Sequence, residues 1–348
     1  MSIFGPYKLK MLKIHQDYSL SGRNSFGVRE KTNFFAEPKN HEELVFLFNY
    51  IKRHSLNWMI LGEGSNMLFT HPFEGIIIHP IMPGIEKADE SASEVLVKAG
   101  AGENWDHFVD HCVENNWFGA ENLSLIPGSV GAAPVQNIGA YGVEAKDLVE
   151  YVEVFDTQNL KAEVLSNAAC EFGYRDSIFK HGNSSRYVVT SVLFRLQKEP
   201  NFTLEYGNVK QEFLKHAEQN QRNLRNTIIS IRREKLPDPQ QTGNAGSFFK
   251  NPVISLKKYY DLQQEYPSLP MYAAGENMAK VPAAWLIENA GWKGIREGEV
   301  GTWPSQPLVL VNYGGASGNE IFLFSEKIRN AVEEKFGILL EREVTVVD

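Results

Sequence analysis

A run of small, uncharged residues from 126 to 142 constrains the fold of this chain more than any other stretch. It reads IPGSVGAAPVQNIGAYG, with four glycines and no charged side chain. Glycine lets a ligand approach the backbone closely, and successive N–H groups in such a loop form nests for phosphate oxygens. The run is too polar to span a membrane and too glycine-rich for a stable helix. A buried turn is the ordinary interpretation, but length and lack of charge favour a loop that binds a pyrophosphate-containing cofactor.

Composition is that of an ordinary globular protein and disfavours several kinds of partner. At 348 residues, 43% of them hydrophobic, the chain is long enough for two or three subdomains. A net charge of −8 argues against general nucleic-acid binding but permits an anionic small ligand held by local cations. Cys112 and Cys170 form no metal or disulfide pattern, and no apolar run is long enough for a bilayer. We expect a cytoplasmic protein with no metal site, no nucleic-acid partner and no membrane partner.

The order of the predicted elements indicates the α+β class. Helices and strands mix without regular βαβ alternation, which disfavours a doubly wound fold. No Gly-x-Gly-x-x-Gly motif opens a helix, so a standard dinucleotide fold has little support. Residues 1–22 show no periodic segment and are interpreted as an N-terminal extension. Residues 338–347 are predicted as a final strand, on which Glu341 and Glu343 would ordinarily face solvent.

Three polar stretches are candidates for chemistry. The strand predicted at 58–61 runs into a second small-residue turn at 62–66, which is suited to exposing N–H groups to a phosphate. Arg175 stands next to Asp176 among apolar residues, a pair that is as often a structural ion pair as a functional one. Ser247 follows small residues and precedes an aromatic pair. Because the Gly-x-Ser-x-Gly motif of the hydrolases is missing, a serine nucleophile is not indicated.

In their order along the chain, these stretches resemble the UDP-N-acetylenolpyruvoylglucosamine reductases, flavoenzymes of bacterial peptidoglycan synthesis. The resemblance rests on separate motifs at residues 24–27, 61–66, 99–102, 126–142, 172–180, 235–239, 243–252 and 340–344. A tyrosine-containing insertion at 204–207 is similar to that of the type I branch, in which this loop closes over the substrate. The departures are small: the family often has serine at Ala132 and Ala133, and usually has proline at Arg342.

The resemblance implies a two-part FAD-binding region of the vanillyl-alcohol-oxidase type, followed by a smaller α+β substrate-binding domain. Beyond the extension at 1–22, the expected boundaries are 23–86 and 87–234 for the two FAD-binding parts and 235–343 for the substrate-binding domain. Residues 344–348 would return to the first part. The resemblance also implies FAD as cofactor, NADPH as hydride donor, UDP-N-acetylglucosamine enolpyruvate as substrate, and a monomer.

The resemblance also assigns roles to individual residues. Catalysis falls to Arg175, Ser247 and Glu343. Cofactor contacts fall mainly to the two small-residue loops: Gly62, Gly64, Ser65, Asn66, Pro127, Gly128, Gly131, Ala132, Val135, Gly139, Ala140 and Arg232. Substrate contacts fall to residues spread over the later part of the chain: Tyr141, Tyr174, Tyr206, Lys235, Asn251, Tyr272, Lys293 and Gln306.

The three catalytic residues suit the reduction of an enol ether that bears a carboxylate. Hydride addition leaves negative charge that spreads into that carboxylate, and the planar cationic Arg175 can pair with it. Glu343 helps only when it holds a proton, which burial favours by raising its pKa. Ser247 would donate the proton that quenches the carbanion. Two alternatives stay open: a related flavoenzyme that oxidises a hydroxyl, and a non-catalytic protein that binds nucleotide sugars.

Overall fold

The computed structural model describes residues 12–180 and 186–348. The elements of its first part are β1 (Ile14–Ser19), β2 (Lys31–Ala36), α1 (His41–His54), β3 (Trp58–Ile60), β4 (Met67–Phe69) and β5 (Phe73–Ile78). The sheet has the order β1-β2-β5-β3, in which β2 and β3 are parallel to β5 and β1 is antiparallel to β2. Helix α1 begins after its N-cap Asn40 and packs an apolar stripe, which includes Leu44 and Ile51, into the core.

The interpretation of residues 1–22 as an extension is wrong for its described part. Residues 14–19 form β1, which pairs with β2 from Ile14 to Ser19 except at Asp17. Tyr18 of β1 stacks on Phe35 of β2 with ring centres 4.0 Å apart. The strand reads IHQDYS and is mostly polar, so it lacks the alternation that predicts a strand. Residues 1–11 lie outside the described residues.

The second part is built on a five-stranded antiparallel sheet with the order β11-β10-β12-β7-β6. Its elements are β6 (Ile85–Glu90), β7 (Glu94–Gly100), α2 (Trp105–Glu114), β8 (Gly139–Ala140), β9 (Val143–Glu144), β10 (Val149–Asp156), β11 (Lys161–Ser166), β12 (Tyr187–Gln197), α3 (Val209–Phe213) and α4 (Gln221–Lys235). Helix α2 packs Trp105, Phe108 and Cys112 against this sheet. Burial raises the pKa of the Cys112 thiol, which fits a small core residue and not a reactive thiol.

The third part contains two small antiparallel sheets, with the orders β13-β19-β18-β17 and β14-β16-β15. Its elements are β13 (Gly243–Ser247), β14 (Val253–Ser255), α5 (Leu256–Glu265), β15 (Tyr272–Ala273), β16 (Met278–Lys280), α6 (Ala283–Asn289), β17 (Arg296–Glu297), β18 (Val300–Trp303), β19 (Gln306–Asn312), α7 (Gly318–Phe336) and β20 (Thr345–Val347). Ser317 and Glu320 form a capping box at the start of α7. In the described parts of the chain, no helix is both long and apolar enough to cross a bilayer.

The predicted final strand at 338–347 is too long, and its prediction of solvent-facing carboxylates is wrong for Glu343. Only Thr345–Val347 forms β20, which lies parallel to β4 of the first part. Before it, Arg342 forms an isolated bridge with Phe249, and the Glu343 N–H donates to the carbonyl of Phe248 at 2.8 Å. The Glu343 side chain is only 15% exposed. The segment therefore carries Glu343 inward, between the third part and the first.

Candidate active site

An arginine and a glutamate far apart in sequence form the centre of the candidate site. Arg175 Nε donates to Glu343 Oε1 at 2.9 Å, and Arg175 Nη2 donates to the carbonyl of Gly139 at 2.6 Å. Both side chains are less than one-fifth exposed, at 19% for Arg175 and 15% for Glu343. In this ion pair, the partner of Arg175 is therefore Glu343 and not the adjacent Asp176. The guanidinium is held on two sides with its plane fixed.

The protonation of Glu343 is set by two opposing effects. Burial raises the pKa of Glu343, and the positive charges of Arg175, Lys180 and Lys250 act in the opposite direction. Burial is the larger effect, so this carboxyl binds a proton more readily than an exposed glutamate. A buried carboxyl that can hold a proton is what a proton-sharing or charge-stabilising role requires.

Ser247 lies at the end of β13, one residue from the backbone contact that holds Glu343. Its neighbour Phe248 accepts the hydrogen bond from the Glu343 N–H. Ser247 pairs with Val309 of β19 and is partly buried. Gly246, just before it, has φ of 67°, so the backbone turns where a Cβ would be strained. The three predicted catalytic residues are thus joined through one chain of contacts, from Ser247 through Phe248 and Glu343 to Arg175.

The two small-residue loops lie face to face. Ser65 Oγ donates to the carbonyl of Pro127 at 3.1 Å, and a Cβ placed on Gly62 would lie 3.1 Å from Ser129 Oγ. Gly128 has φ of 134°, which favours glycine, and a Cβ there would lie 3.3 Å from Ser65 Oγ. These contacts leave no room for larger residues between the loops. Such a pair of glycine-rich backbones is suited to holding a pyrophosphate.

These loops also connect directly to the catalytic pair. Asn66 Nδ2 donates to the backbone carbonyl of Glu343 at 3.0 Å. At the other end of the run, Ser177 Oγ donates to the carbonyl of Val135 at 2.6 Å. Of the predicted cofactor residues, those at 62–66 and 127–132 therefore form one cradle, and those at 135–140 border the Arg175 loop.

Arg232 carries an unsatisfied donor of the kind that an anionic cofactor would satisfy. It lies in the last turn of α4, and its Nε is buried without a hydrogen-bond partner among the described residues. Burial lowers the pKa of Arg232, while Tyr141 and Asp106 act in the opposite direction. A buried donor without a partner costs free energy in the protein alone. The facing loops and this orphaned donor together fit a bound anionic cofactor.

We predict that Arg232→Met weakens retention of FAD about 10-fold or more, because a hydrogen bond to a charged group contributes roughly 1.5–3 kcal/mol. The measurement is flavin absorbance per protein after gel filtration. Arg233→Met is the matched control, since Arg233 is the next residue and is exposed. Equal flavin loss in both variants would contradict a specific role for Arg232. The flavin-free Arg232→Met protein should be no less stable than the unmodified one, because no protein partner of Nε is lost.

The structure brings some of the predicted substrate residues together. Tyr141 and Tyr206 meet edge to face with ring centres 5.9 Å apart. Partial burial raises the pKa of Tyr206, and Tyr272 acts in the same direction. Tyr174 interacts with Asn251, whose Oδ1 also accepts from the N–H of Ala283 at 2.9 Å. Tyr174 also lies beside the predicted catalytic arginine, with its ring centre 5.5 Å from Arg175 Cζ.

Three other predicted substrate residues have no contact with the tyrosines and the asparagine described above among the contacts of the described residues. Lys293 forms an exposed ion pair with Glu288 at 2.7 Å, and Lys235 is the exposed last residue of α4. Gln306 begins β19, and its Oε1 is buried without a partner in the described parts of the chain. Their substrate roles stay predictions.

The sequence interpretation missed three polar residues at this site. Asn137 is fully buried, and its Nδ2 donates to Glu144 and to the carbonyl of Gly173. Lys180 Nζ donates to the carbonyl of Arg175 at 3.1 Å. Lys280 Nζ lies 4.7 Å from the centre of the Tyr174 ring. Asn137 and Lys180 lie within the motif stretches at 126–142 and 172–180, so their positions could have indicated a role at the site. Lys280 lies outside all of the motif stretches.

Comparison with known proteins agrees with this geometry. Residues 32–159 match the model of an FAD binding domain, and residues 238–347 match that of the UDP-N-acetylenolpyruvoylglucosamine reductase C-terminal domain. The reductase of Bacteroides fragilis strain YCH46 is 43% identical over 96% of this chain and 100% of its own length. That of Amoebophilus asiaticus is 40% identical over 97% of this chain and 100% of its own. The crystal structure of the Thermus caldophilus enzyme is similar in fold, with a TM-score of 0.66 and 22% identity over 97% of this chain and 99% of that one.

The fold, the facing loops and these matches define an FAD-binding oxidoreductase. The predicted fold class is confirmed: an α+β chain with an FAD-binding region of the vanillyl-alcohol-oxidase type and a smaller C-terminal domain. More narrowly, the chain belongs to the UDP-N-acetylenolpyruvoylglucosamine reductase family, whose members act in the synthesis of peptidoglycan precursors.

Proposed function

We propose that this protein reduces UDP-N-acetylglucosamine enolpyruvate to UDP-N-acetylmuramate with NADPH, using Arg175, Ser247 and Glu343. The observation that carries the proposal is the contact of Arg175 with Glu343, 168 residues apart. The backbone of Glu343 is bonded to Asn66 of the facing loops and to Phe248, the neighbour of Ser247. When bound, FAD supplies the hydride, received from NADPH and passed to the terminal carbon of the enol. The chain's own residues manage the charge and the proton.

In this proposal, Arg175 binds the carboxylate of the substrate. Its Nε and Nη2 are used by Glu343 and Gly139, and the guanidinium is a planar cation that stabilises an anion without changing its own protonation. Negative charge that develops beside the carboxylate during reduction is stabilised by this fixed cation. Because Arg175 is mostly buried, the interaction is stronger than it would be in water.

Glu343 and Ser247 act on the proton. With a pKa raised by burial, Glu343 holds a proton at the site and shares it with the oxygens on which charge develops. Ser247, on the rigid end of β13, gives its hydroxyl proton to the carbon next to the carboxylate. An alkoxide left at Ser247 would then be neutralised by solvent or by a neighbouring acid. The hydride and the proton together add two hydrogens across the double bond.

The binding roles in this proposal are those that the resemblance implies. FAD would be held by Gly62, Gly64, Ser65, Asn66, Pro127, Gly128, Gly131, Ala132, Val135, Gly139, Ala140 and Arg232. The nucleotide sugar would contact Tyr141, Tyr174, Tyr206, Asn251 and Tyr272, with Lys235, Lys293 and Gln306 as further contacts. We further propose a cytoplasmic monomer without nucleic-acid or membrane partners, in keeping with the net charge of −8.

A direct assay tests this function. The FAD-loaded protein, NADPH and UDP-N-acetylglucosamine enolpyruvate are incubated, and the nucleotide-sugar product is analysed by mass spectrometry. A product heavier than the substrate by two hydrogens, formed only with NADPH and flavin, is the expected result. NADPH oxidation that consumes oxygen and leaves the sugar nucleotide unchanged would contradict the proposal and favour an oxidase.

A further inference from the structure

The loop at 172–180 aims Arg175, and it does so in an unfavourable backbone conformation. Gly173 and Asp176 exchange backbone hydrogen bonds of 3.0 and 3.3 Å, which closes a tight turn around Arg175. Arg175 has φ of 54°, a left-handed conformation that is uncommon for residues other than glycine. Such a conformation persists only where the surrounding contacts hold it. The direction of the guanidinium therefore depends on what fixes this turn.

Lys180 supplies a contact that fixes the turn from its far end. Its Nζ donates to the backbone carbonyl of Arg175 at 3.1 Å, across five residues of sequence. Between them, Ser177 is bonded to Val135, so the middle of the loop is also attached to the run at 126–142. With both contacts, the carbonyl and the guanidinium of Arg175 have defined directions.

The placement of Lys180 is electrostatically costly, which sets it apart from an ordinary surface lysine. Burial lowers the pKa of Lys180, and the positive charge of Lys250 lowers it further. The carboxylates of Asp176, Glu343 and Glu341 act in the opposite direction. Burial and the like charge of Lys250 both disfavour a cation at this position. That Lys180 is nevertheless held here indicates that its contact with the Arg175 carbonyl matters to the site.

We propose that Lys180 is a positioning residue for the reduction: by holding the Arg175 carbonyl, it keeps the left-handed turn that directs the guanidinium at Glu343 and at the carboxylate of the substrate. This rests on the proposed function. Lys180 itself is not assigned a contact with substrate or cofactor.

Charge alone is the competing account, and the chain offers a matched control for it. The charged and titratable groups that face Glu343 are Arg175, Lys180, Lys250 and Tyr174. Lys250 also acts on Glu343 through its positive charge, but its Nζ binds Glu341 at 2.5 Å and not the Arg175 loop. Lys250→Met thus removes a nearby charge without removing the contact with the turn.

The experiment compares Lys180→Met, Lys180→Arg and Lys250→Met in the FAD-loaded protein. For each variant, the flavin is bleached anaerobically with NADPH, and the recovery of its colour is then timed after adding UDP-N-acetylglucosamine enolpyruvate. The substrate dissociation constant is measured separately, from the change in the oxidised flavin spectrum. Retained flavin and the thermal midpoint report on the fold.

Lys180→Met should slow the recovery about 100-fold, the scale expected for a misplaced catalytic group, and should weaken substrate binding. Bleaching by NADPH, retained flavin and the thermal midpoint should stay close to those of the unmodified protein. Lys180→Arg, which keeps the donor and the charge, should restore most of the rate, and Lys250→Met should have a much smaller effect than Lys180→Met.

Three results would overturn the proposal. Equal slowing in Lys180→Met and Lys250→Met would show that charge and not position matters. A rate in Lys180→Met close to that of the unmodified protein would show that the contact has no role. Loss of flavin or of folding in both Lys180→Met and Lys180→Arg would make the residue a general support of the fold. If the unmodified protein bleaches but never recovers with this substrate, the proposed function fails first, and the Lys180 proposal falls with it.

Discussion

Replacing Ser247 with alanine is expected to slow the recovery of flavin colour by the substrate about 10²–10⁴-fold, the usual contribution of a positioned acid. Bleaching by NADPH should keep its rate, because that step uses no proton from Ser247. The variant removes only an oxygen from a residue whose backbone lies in β13, paired with Val309. FAD content and stability should therefore be retained. Anaerobic stopped-flow absorbance measures both steps separately.

The control for this variant is Ser255→Ala, a serine of the same domain with a structural role. Ser255 Oγ accepts from the Lys258 N–H at 3.2 Å and caps α5. Its loss should cost about 1 kcal/mol of stability and leave both flavin steps unchanged. If Ser247→Ala slowed bleaching and recovery equally, Ser247 would not be the proton donor.

Replacing Glu343 with glutamine is expected to slow the recovery about 10²–10³-fold, as when one stabilising group is removed from a developing charge. Glutamine keeps the size of the side chain but has no carboxyl proton to share with the oxygens on which charge develops. FAD should stay bound, because the contact of Glu343 with the Asn66 side chain uses the backbone carbonyl. Release of flavin from the variant would indicate a structural role for Glu343 instead.

The pH dependence gives this variant a second readout. Burial raises the pKa of Glu343 in the folded protein, so the folded state binds this proton more tightly than the unfolded chain. Its contribution to the free energy of unfolding is then present at low pH and is lost as the pH rises through the raised pKa. The recovery rate should fall over the same pH range, since the protonated form is the active one.

In Glu343→Gln, both the fall in rate and the loss of stability should be absent, because glutamine does not titrate. Glu341→Gln is the matched control, since Glu341 lies two residues away with a side chain that is 70% exposed. The control should keep the pH profile of the unmodified protein. If Glu343→Gln showed the same pH profile as the unmodified protein, the titrating group would be a residue other than Glu343.

The sequence was most informative where small residues or regular spacing leave few alternatives. Apolar residues spaced as on one helix face lie in α1, α2 and α4, and Ser317 and Glu320 have capping-box spacing where α7 begins. The small-residue runs at 62–66 and 126–142 predict phosphate-binding loops, and the structure places them face to face through Ser65 and Pro127. The contact between the two loops arises only in the tertiary structure. Without the resemblance, no local pattern in either run indicates the other as its partner.

The failures came from elements whose character depends on distant contacts. β1 is polar and is held by β2 and by Tyr18 stacking on Phe35, which a local pattern does not reveal. The stretch at 338–344 was predicted as part of a strand, but it makes only isolated backbone contacts, with residues 248–250. Glu343 is buried by residues that are distant in sequence, in the Arg175 loop and at the end of β13. Burial of one carboxylate cannot be inferred from its neighbours in sequence.

The structure explains how an arginine is accommodated at position 342, where the family usually has proline. Arg342 binds Glu326 of α7, lies 3.3 Å from Ser325 Oγ, and stacks 4.5 Å from the centre of the Phe322 ring. Arg329 of the same helix pairs with Glu326 at 2.6 Å and donates to the carbonyl of Leu340 at 3.0 Å. Side-chain contacts with α7 thus hold the segment that carries Glu343.

The most direct test of the proposed reaction is the visible absorption spectrum of the purified protein under anaerobic conditions, first with NADPH and then with UDP-N-acetylglucosamine enolpyruvate. The spectrum should show bound flavin that bleaches with NADPH and recovers its colour when the sugar nucleotide is added. Bleaching without recovery would contradict the assigned substrate and the roles of Arg175, Ser247 and Glu343. A colourless protein that takes up no added FAD would contradict the cofactor cradle itself.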